Sequence, residues 1–173
     1  MPSYKFGTSS TKRLEQLDPR MQEILNEAIG TSPYDFKITQ GKRTYEEQFD
    51  LWKQGRKWNP ELGVETLPEA WEIGGEGSVV TKTMKSKHLS GRAFDIAVLN
   101  EGKIDWDDVK KYNEIGAHLN KIAKSLGYGD DFQWGGDWQY DWKDRPHYEI
   151  GEKKDGDVSS ILQQWKKEDN IFA

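Results

Sequence analysis

The spacing of apolar residues predicts a chain of short helices and short strands. Met21, Ile24, Leu25, Ala28 and Ile29 recur at helical intervals, the pattern of a helix with one buried face. Asp18-Pro19 reads as its N-cap with proline at the first helical position, and Gly30 as its stop. A short strand follows over 35–39, with Phe36 and Ile38 on one face. Thr44 and Glu47 read as a capping box for a second helix that runs to about residue 55 and carries Tyr45, Phe49 and Trp52 as its apolar stripe. Over 58–78 the periodicity dissolves into Pro, Gly and Glu, which predicts a long loop or insertion. Residues 92–98 resume as a strand in which Phe94, Ile96 and Val98 face the core, while Ala93, Asp95 and Ala97 face the other way.

Asp105 is expected to cap the longest helix, 105–127, with Trp106, Val109, Ile115, Leu119, Ile122 and Leu126 on its buried side. Short strands at 132–134 and 147–150 and a last helix over 158–169 complete the pattern. The fold class expected is α+β, with helices packed against a small, mostly antiparallel sheet. With no internal repeat and no composition break, the 173 residues read as a single domain.

Composition narrows the function. Eight Trp, seven Tyr and six Phe carry much of the burial in a chain that is only 34% hydrophobic. A net charge of −5 without a basic block sets nucleic acid aside as a partner. No apolar run approaches the roughly 20 residues of a membrane span, so membrane insertion is not expected. The N-terminus lacks the apolar core of a signal peptide. The absence of cysteine fits a reducing compartment, and equally a protein that needs no disulfide.

Candidate chemistry centres on two of the three histidines. His88 and Asp95 lie in one segment and His147 in another. Two imidazoles and one carboxylate are the ligand count of a catalytic zinc site with its fourth position open to water. A carboxylate set between two alanines on a half-buried strand needs a partner. A metal ion is one; an arginine or a pair of backbone N–H groups is the other. His147 and Glu149 share a strand face, and Pro146 fixes the backbone just before it. His118 falls in the long helix, away from both segments, and reads as a surface or half-buried helix histidine. Trp134, Trp138 and Trp142 flank the segments, with core packing as their default role.

Four strings point further when taken together. They are Gly41-Lys42-Arg43-Thr44-Tyr45-Glu46-Glu47-Gln48, Thr83-Met84-Lys85-Ser86-Lys87-His88-Leu89-Ser90-Gly91-Arg92-Ala93-Phe94-Asp95, Trp134-Gly135-Gly136-Asp137-Trp138 and Asp144-Arg145-Pro146-His147-Tyr148-Glu149. In this combination and order the chain resembles the zinc D-alanyl-D-alanine carboxypeptidase (VanY-like) metallopeptidase superfamily, which cleaves peptidoglycan stem peptides. Within that superfamily it looks most like the phage L-alanyl-D-glutamate endopeptidases. The stretch 58–78 departs from the pattern by its length.

The resemblance implies a Hedgehog/D,D-peptidase-like fold and Zn²⁺ held by His88, Asp95 and His147. It makes Asp144 the catalytic carboxylate, with capping of the turn before Pro146 as its alternative role. Asp137, Asp141 and Glu149 are rivals, of which Asp137 and Glu149 fit supporting or structural positions better. Arg43 is implied to hold the scissile carbonyl oxygen or a substrate carboxylate, and Ser86 to bond the substrate or the site, with turn capping as its alternative. The function expected is an endolysin, a monomer that hydrolyses the L-Ala–D-Glu bond of the stem peptide during host lysis. It would stay in the host cytoplasm until released through a holin-type pore. A D-alanyl-D-alanine carboxypeptidase of the same fold is the nearest alternative, and a non-catalytic cell-wall-binding module a more distant one.

Overall fold

The computed structural model describes residues 3–58, 71–73, 86–138 and 143–151. The chain divides into two compact units, one of residues 1–42 and 90–154, the other of residues 43–89 and 155–173.

The first unit is built on an antiparallel sheet. Its strands are β1 (Phe36–Gln40), β4 (Ala93–Asn100), β5 (Lys103–Asp105), β6 (Phe132–Trp134) and β7 (His147–Ile150). The order is β1-β4-β7-β6, with β5 paired to the far end of β4. The register sets Asp95 opposite His147, Phe94 opposite Tyr148 and Ala93 opposite Glu149. Among the described residues three α-helices belong to this unit: α1 (Thr8–Glu15), α2 (Pro19–Thr31) and α4 (Val109–Ser125). Their apolar faces and one face of the sheet share a core that includes Met21, Ile24, Phe36, Phe94, Ile96, Ile115, Leu119 and Tyr148. The α+β, mostly antiparallel architecture expected from the pattern is the one observed.

The start of α2 is built as read. Asp18 accepts from the Arg20 N–H at 2.9 Å and from the Arg20 guanidinium at 3.0 and 3.1 Å, and Pro19 opens the helix. Burial alone would raise the Asp18 carboxyl. Its bonds to Arg20 and the charges of Arg20 and Arg92 outweigh that and hold it below the ordinary carboxylate range. Because the folded value is depressed, this stabilisation is present above the unfolded carboxylate value and is lost as acid protonates the group, below about pH 4. Asp18→Ala is therefore expected to cost about 0.5–2 kcal/mol near neutrality and to flatten the acid limb of a stability-against-pH curve. An acid limb as steep as wild type would refute this.

Four local expectations are corrected. Gly30 does not stop α2, which runs on to Thr31. The long helix starts at Val109 and is capped by Asp108. Asp105 instead ends β5, so Trp106 and Val109 are 55% and 46% exposed rather than buried. Ala93 and Ala97 are as fully buried as Phe94 and Ile96, so both faces of β4 are covered. Helix α1 has no counterpart in the apolar pattern. It packs against β1 with polar side chains: Ser10 Oγ accepts from the Ile38 N–H at 3.0 Å, and Arg13 donates to the Ile38 carbonyl at 3.2 Å. The helix expected over 158–169 lies outside the described residues.

The second unit carries α3 (Tyr45–Lys53), the strand pair β2 (Arg56–Trp58) and β3 (Trp71–Ile73), and most of a short 3-10 helix (Lys87–Ser90). The capping box of α3 is complete, Thr44 accepting from the Glu47 N–H and Glu47 from the Thr44 N–H. Tyr45 and Phe49 are buried, while Trp52 is half-buried beneath the Arg56 guanidinium, 3.7 Å from the ring centroid. β3 lies within the stretch read as a loop and pairs antiparallel with β2.

Candidate functional site

Strand alternation assembles the site on β4 and β7. Tyr148 and Ile150 point into the core, which turns His147 and Glu149 to the opposite face. Asp95 lies across the ladder from His147, and its Oδ1 is 3.0 Å from His147 Nδ1. Glu149 Oε1 approaches the other ring nitrogen, Nε2, at 3.1 Å. The side chains of His147, Asp95 and Glu149 are 13%, 23% and 17% exposed.

His88 is buried on the short 3-10 helix. Ser86 caps that helix, its Oγ accepting from the His88 N–H at 3.2 Å and its carbonyl from the Leu89 N–H at 3.1 Å. Gly91 follows at φ +73°, where a Cβ would also meet the Gln16 carbonyl oxygen at 2.8 Å. Only glycine fits that turn without strain. Its carbonyl accepts from the Asp18 N–H at 2.9 Å, tying the entry to β4 to the start of α2. Asp95 and His147 thus bring a carboxylate oxygen and an imidazole nitrogen together within the first unit, while His88 is carried by the second.

Asp144 enters the site through its turn. The Asp144 N–H donates to the Gly135 carbonyl at 3.2 Å, and the His147 N–H donates to the Asp144 carbonyl at the same distance. Trp134 Nε1 donates to the Arg145 carbonyl at 2.8 Å, and the Pro146 carbonyl accepts from the Ile96 N–H at 2.9 Å. A Cβ on Gly135 would collide with the backbone carbonyl of Asp144. The Trp-Gly-Gly string is thus the seat of the turn that presents Asp144 and His147. Trp134 itself is buried and stacks on Tyr148, whereas the half-buried Trp138 stands over the His147 ring with centroids 5.5 Å apart. Trp142 and Asp141 lie outside the described residues.

The remaining residues separate by their contacts. Arg43 donates its backbone N–H to the His88 carbonyl at 2.9 Å and a guanidinium N–H to Gln48 Oε1 at 3.1 Å. Gln48 is fully buried, and its hold on Arg43 was not read from the sequence, although both residues stand in one of the four strings. Asp137 accepts from Asn120 at 2.8 Å. His118 lies 3.0 Å from Thr31 Oγ1 and 3.2 Å from the Ala28 carbonyl, joining α4 to α2. Behind the site, the Tyr148 hydroxyl is buried without a hydrogen-bond partner among the described residues, and burial pushes the phenol well above its ordinary value. Tyr148→Phe is expected to leave stability unchanged or raise it by about 1 kcal/mol, since it removes an unsatisfied polar group and keeps the ring. A lowered melting temperature would contradict this.

The electrostatics fit a metal cation. Burial would lower the His147 pKa, but its bonds to Asp95 and Glu149 and the charge of Asp144 override this and push it up to about 9. Carboxylates converge on one buried ring and favour positive charge there. The donor set, imidazole nitrogen and carboxylate oxygen without thiolate, suits zinc in a catalytic rather than a purely structural setting.

An antiparallel sheet with helices packed against it in this way is a D,D-peptidase-like fold. The Serratia marcescens L-Ala D-Glu endopeptidase ChiX shares the fold at a TM-score of 0.61 and 22% identity, over 85% of this chain and 90% of that one. A profile of the phage L-alanyl-D-glutamate peptidase family matches residues 2–61 and 61–158, and the chain belongs to that family. The L-alanyl-D-glutamate peptidase of Escherichia phage T5 is 32% identical over 136 residues, 79% of this chain and 82% of the phage protein. The peptidoglycan L-alanyl-D-glutamate endopeptidase CwlK of Bacillus subtilis is 33% identical over 135 residues, 74% and 68% of the two chains.

Proposed function

We propose that this protein is a zinc-dependent endopeptidase that hydrolyses the L-Ala–D-Glu bond of peptidoglycan stem peptides, acting as a single peptidase domain. The pairing of Asp95 with His147 across β4 and β7 carries the reading, with His88 as the third ligand that the sequence motif implies and the family supplying the bond. Bound by these three residues, zinc would acidify a water toward a pKa of about 7 and polarise the scissile carbonyl.

Asp144 takes the proton from the attacking water and returns it to the leaving amine. Its turn is fixed by bonds of the Gly135 carbonyl, the Trp134 indole N–H and the Ile96 N–H to the turn's backbone, so Asp144 is placed before substrate arrives. Arg43, held by Gln48, offers its guanidinium to the scissile carbonyl oxygen or a substrate carboxylate. Ser86 uses its oxygen as an acceptor for the ligand helix and keeps its O–H as a donor to substrate. As an endolysin the protein would act in host lysis, reaching the wall from the host cytoplasm through a holin-type pore. No described helix is long and apolar enough to cross a membrane.

Digestion of purified peptidoglycan, followed by mass spectrometry of the new termini, tests the assignment. A new N-terminal D-Glu is expected. Release of D-Ala alone would convert the reading to a D,D-carboxypeptidase, and intact sacculi would leave only a wall-binding module.

A further inference from the structure

We propose that Glu149 is the positioning residue that fixes the tautomer of His147, accepting the Nε2 hydrogen so that, once the Nδ1 proton is displaced, the Nδ1 lone pair on the Asp95 side is left for the ion. This rests on the reading of His147 as a zinc ligand. The geometry is set by the strand. Two residues apart on β7, His147 and Glu149 share a face, and the register sets Glu149 opposite Ala93. Ala93 has only a methyl group there, which leaves room for the glutamate to lean along the strand toward the ring. Oε1 reaches Nε2 at 3.1 Å while Nδ1 meets Asp95 Oδ1 at 3.0 Å.

The chemistry follows from counting hydrogens. A neutral imidazole has one N–H and one lone pair, and an ionised carboxylate only accepts. The nitrogen that faces Glu149 must therefore carry the hydrogen if the other is to bind a cation, since a ligating imidazole offers a lone pair. Asp95 is the carboxylate read as a ligand together with His147, and it faces Nδ1, so the lone pair is needed on that side. Both partners of the Nε2 contact are largely shielded, at 13% and 17% exposure, which limits how well water can replace the carboxylate. A glutamate at this position does for the ring what outer carboxylates do for ligating histidines generally.

Zinc affinity, measured by competition with a chromophoric chelator, tests this in wild type, E149A, E149Q and H147A. E149A is expected to bind zinc about 10–100-fold more weakly, with E149Q close to wild type because its amide oxygen still accepts the N–H. Unchanged affinity in E149A overturns the proposal. So does a loss in both Glu149 variants as deep as in H147A, which would make Glu149 itself a ligand. Wild-type affinity in H147A would instead remove the zinc-site reading beneath. A long-range ¹H–¹⁵N spectrum of zinc-loaded wild type gives a second measure that needs no variant. The proton on Nε2 supports the assignment, and the proton on Nδ1 refutes it.

Discussion

Replacing Asp144 with asparagine is expected to leave a protein that binds zinc normally and hydrolyses peptidoglycan about 10²–10⁴-fold more slowly, the usual contribution of a positioned acid–base group. The substitution preserves shape. The bonds that hold the turn use the Asp144 backbone N–H and carbonyl, with Gly135 and His147 as partners, and the Trp134 and Ile96 anchors belong to neighbouring residues. What asparagine removes is the capacity to accept and return a proton. The measurement is kcat on purified sacculi beside zinc stoichiometry. Near-wild-type turnover at full zinc occupancy would clear Asp144 of the role and turn attention to Asp137 or Glu149.

Stripping the metal with a chelator is expected to abolish hydrolysis, and adding zinc back to restore it. It should also lower thermal stability. At a free metal concentration a hundredfold above Kd, binding adds about 2.7 kcal/mol, and a chain of this size shifts by about 2–4 °C per kcal/mol. The metal-free protein should remain folded, because an imidazolium at His147 partly satisfies Asp95 and Glu149. That group's folded pKa is raised from 6.5 to about 9. Its contribution is complete below the unfolded value and disappears as pH rises through the folded one. The metal must also displace the same proton. The melting-temperature gap between zinc-loaded and metal-free protein should therefore widen from about pH 6.5 to 9. A gap that narrows over this interval would contradict the arrangement, and full lysis in chelator would end the metal mechanism.

Much of this site is legible in the sequence because its parts are local. The Thr44 capping box, the alternation of Phe94, Ile96 and Val98 against Asp95, and the short strands that carry Trp134 and His147 each follow from neighbours within a few positions. What escaped reading is set by distant partners. β5 is three residues long and exists because it pairs with Val98, Leu99 and Asn100 through a turn at Glu101 and Gly102, both at positive φ. Without that pairing Asp105 resembles a helix cap, which is why α4 was expected to begin four residues early. Trp134 as the anchor of the Asp144 turn, and Gln48 as the holder of Arg43, are contacts that no periodicity encodes. The strings Trp-Gly-Gly and Arg-x-x-x-x-Gln mark the places and leave the bonds to the fold.

Helix α1 was illegible for a different reason, with consequences beyond the catalytic face. Its sequence, Thr-Ser-Ser-Thr-Lys-Arg-Leu-Glu, has one apolar residue, so it shows no stripe to detect. Its work is done by Ser10 and Arg13 on the backbone of β1, the outermost strand of the sheet on that side among the described residues. A strand in that position is otherwise a template on which another chain can add a strand of its own. These two polar side chains occupy the N–H and carbonyl of Ile38 that an incoming strand would need. The segment before α2 thus shields this edge of the sheet from strand addition by a second copy of the chain.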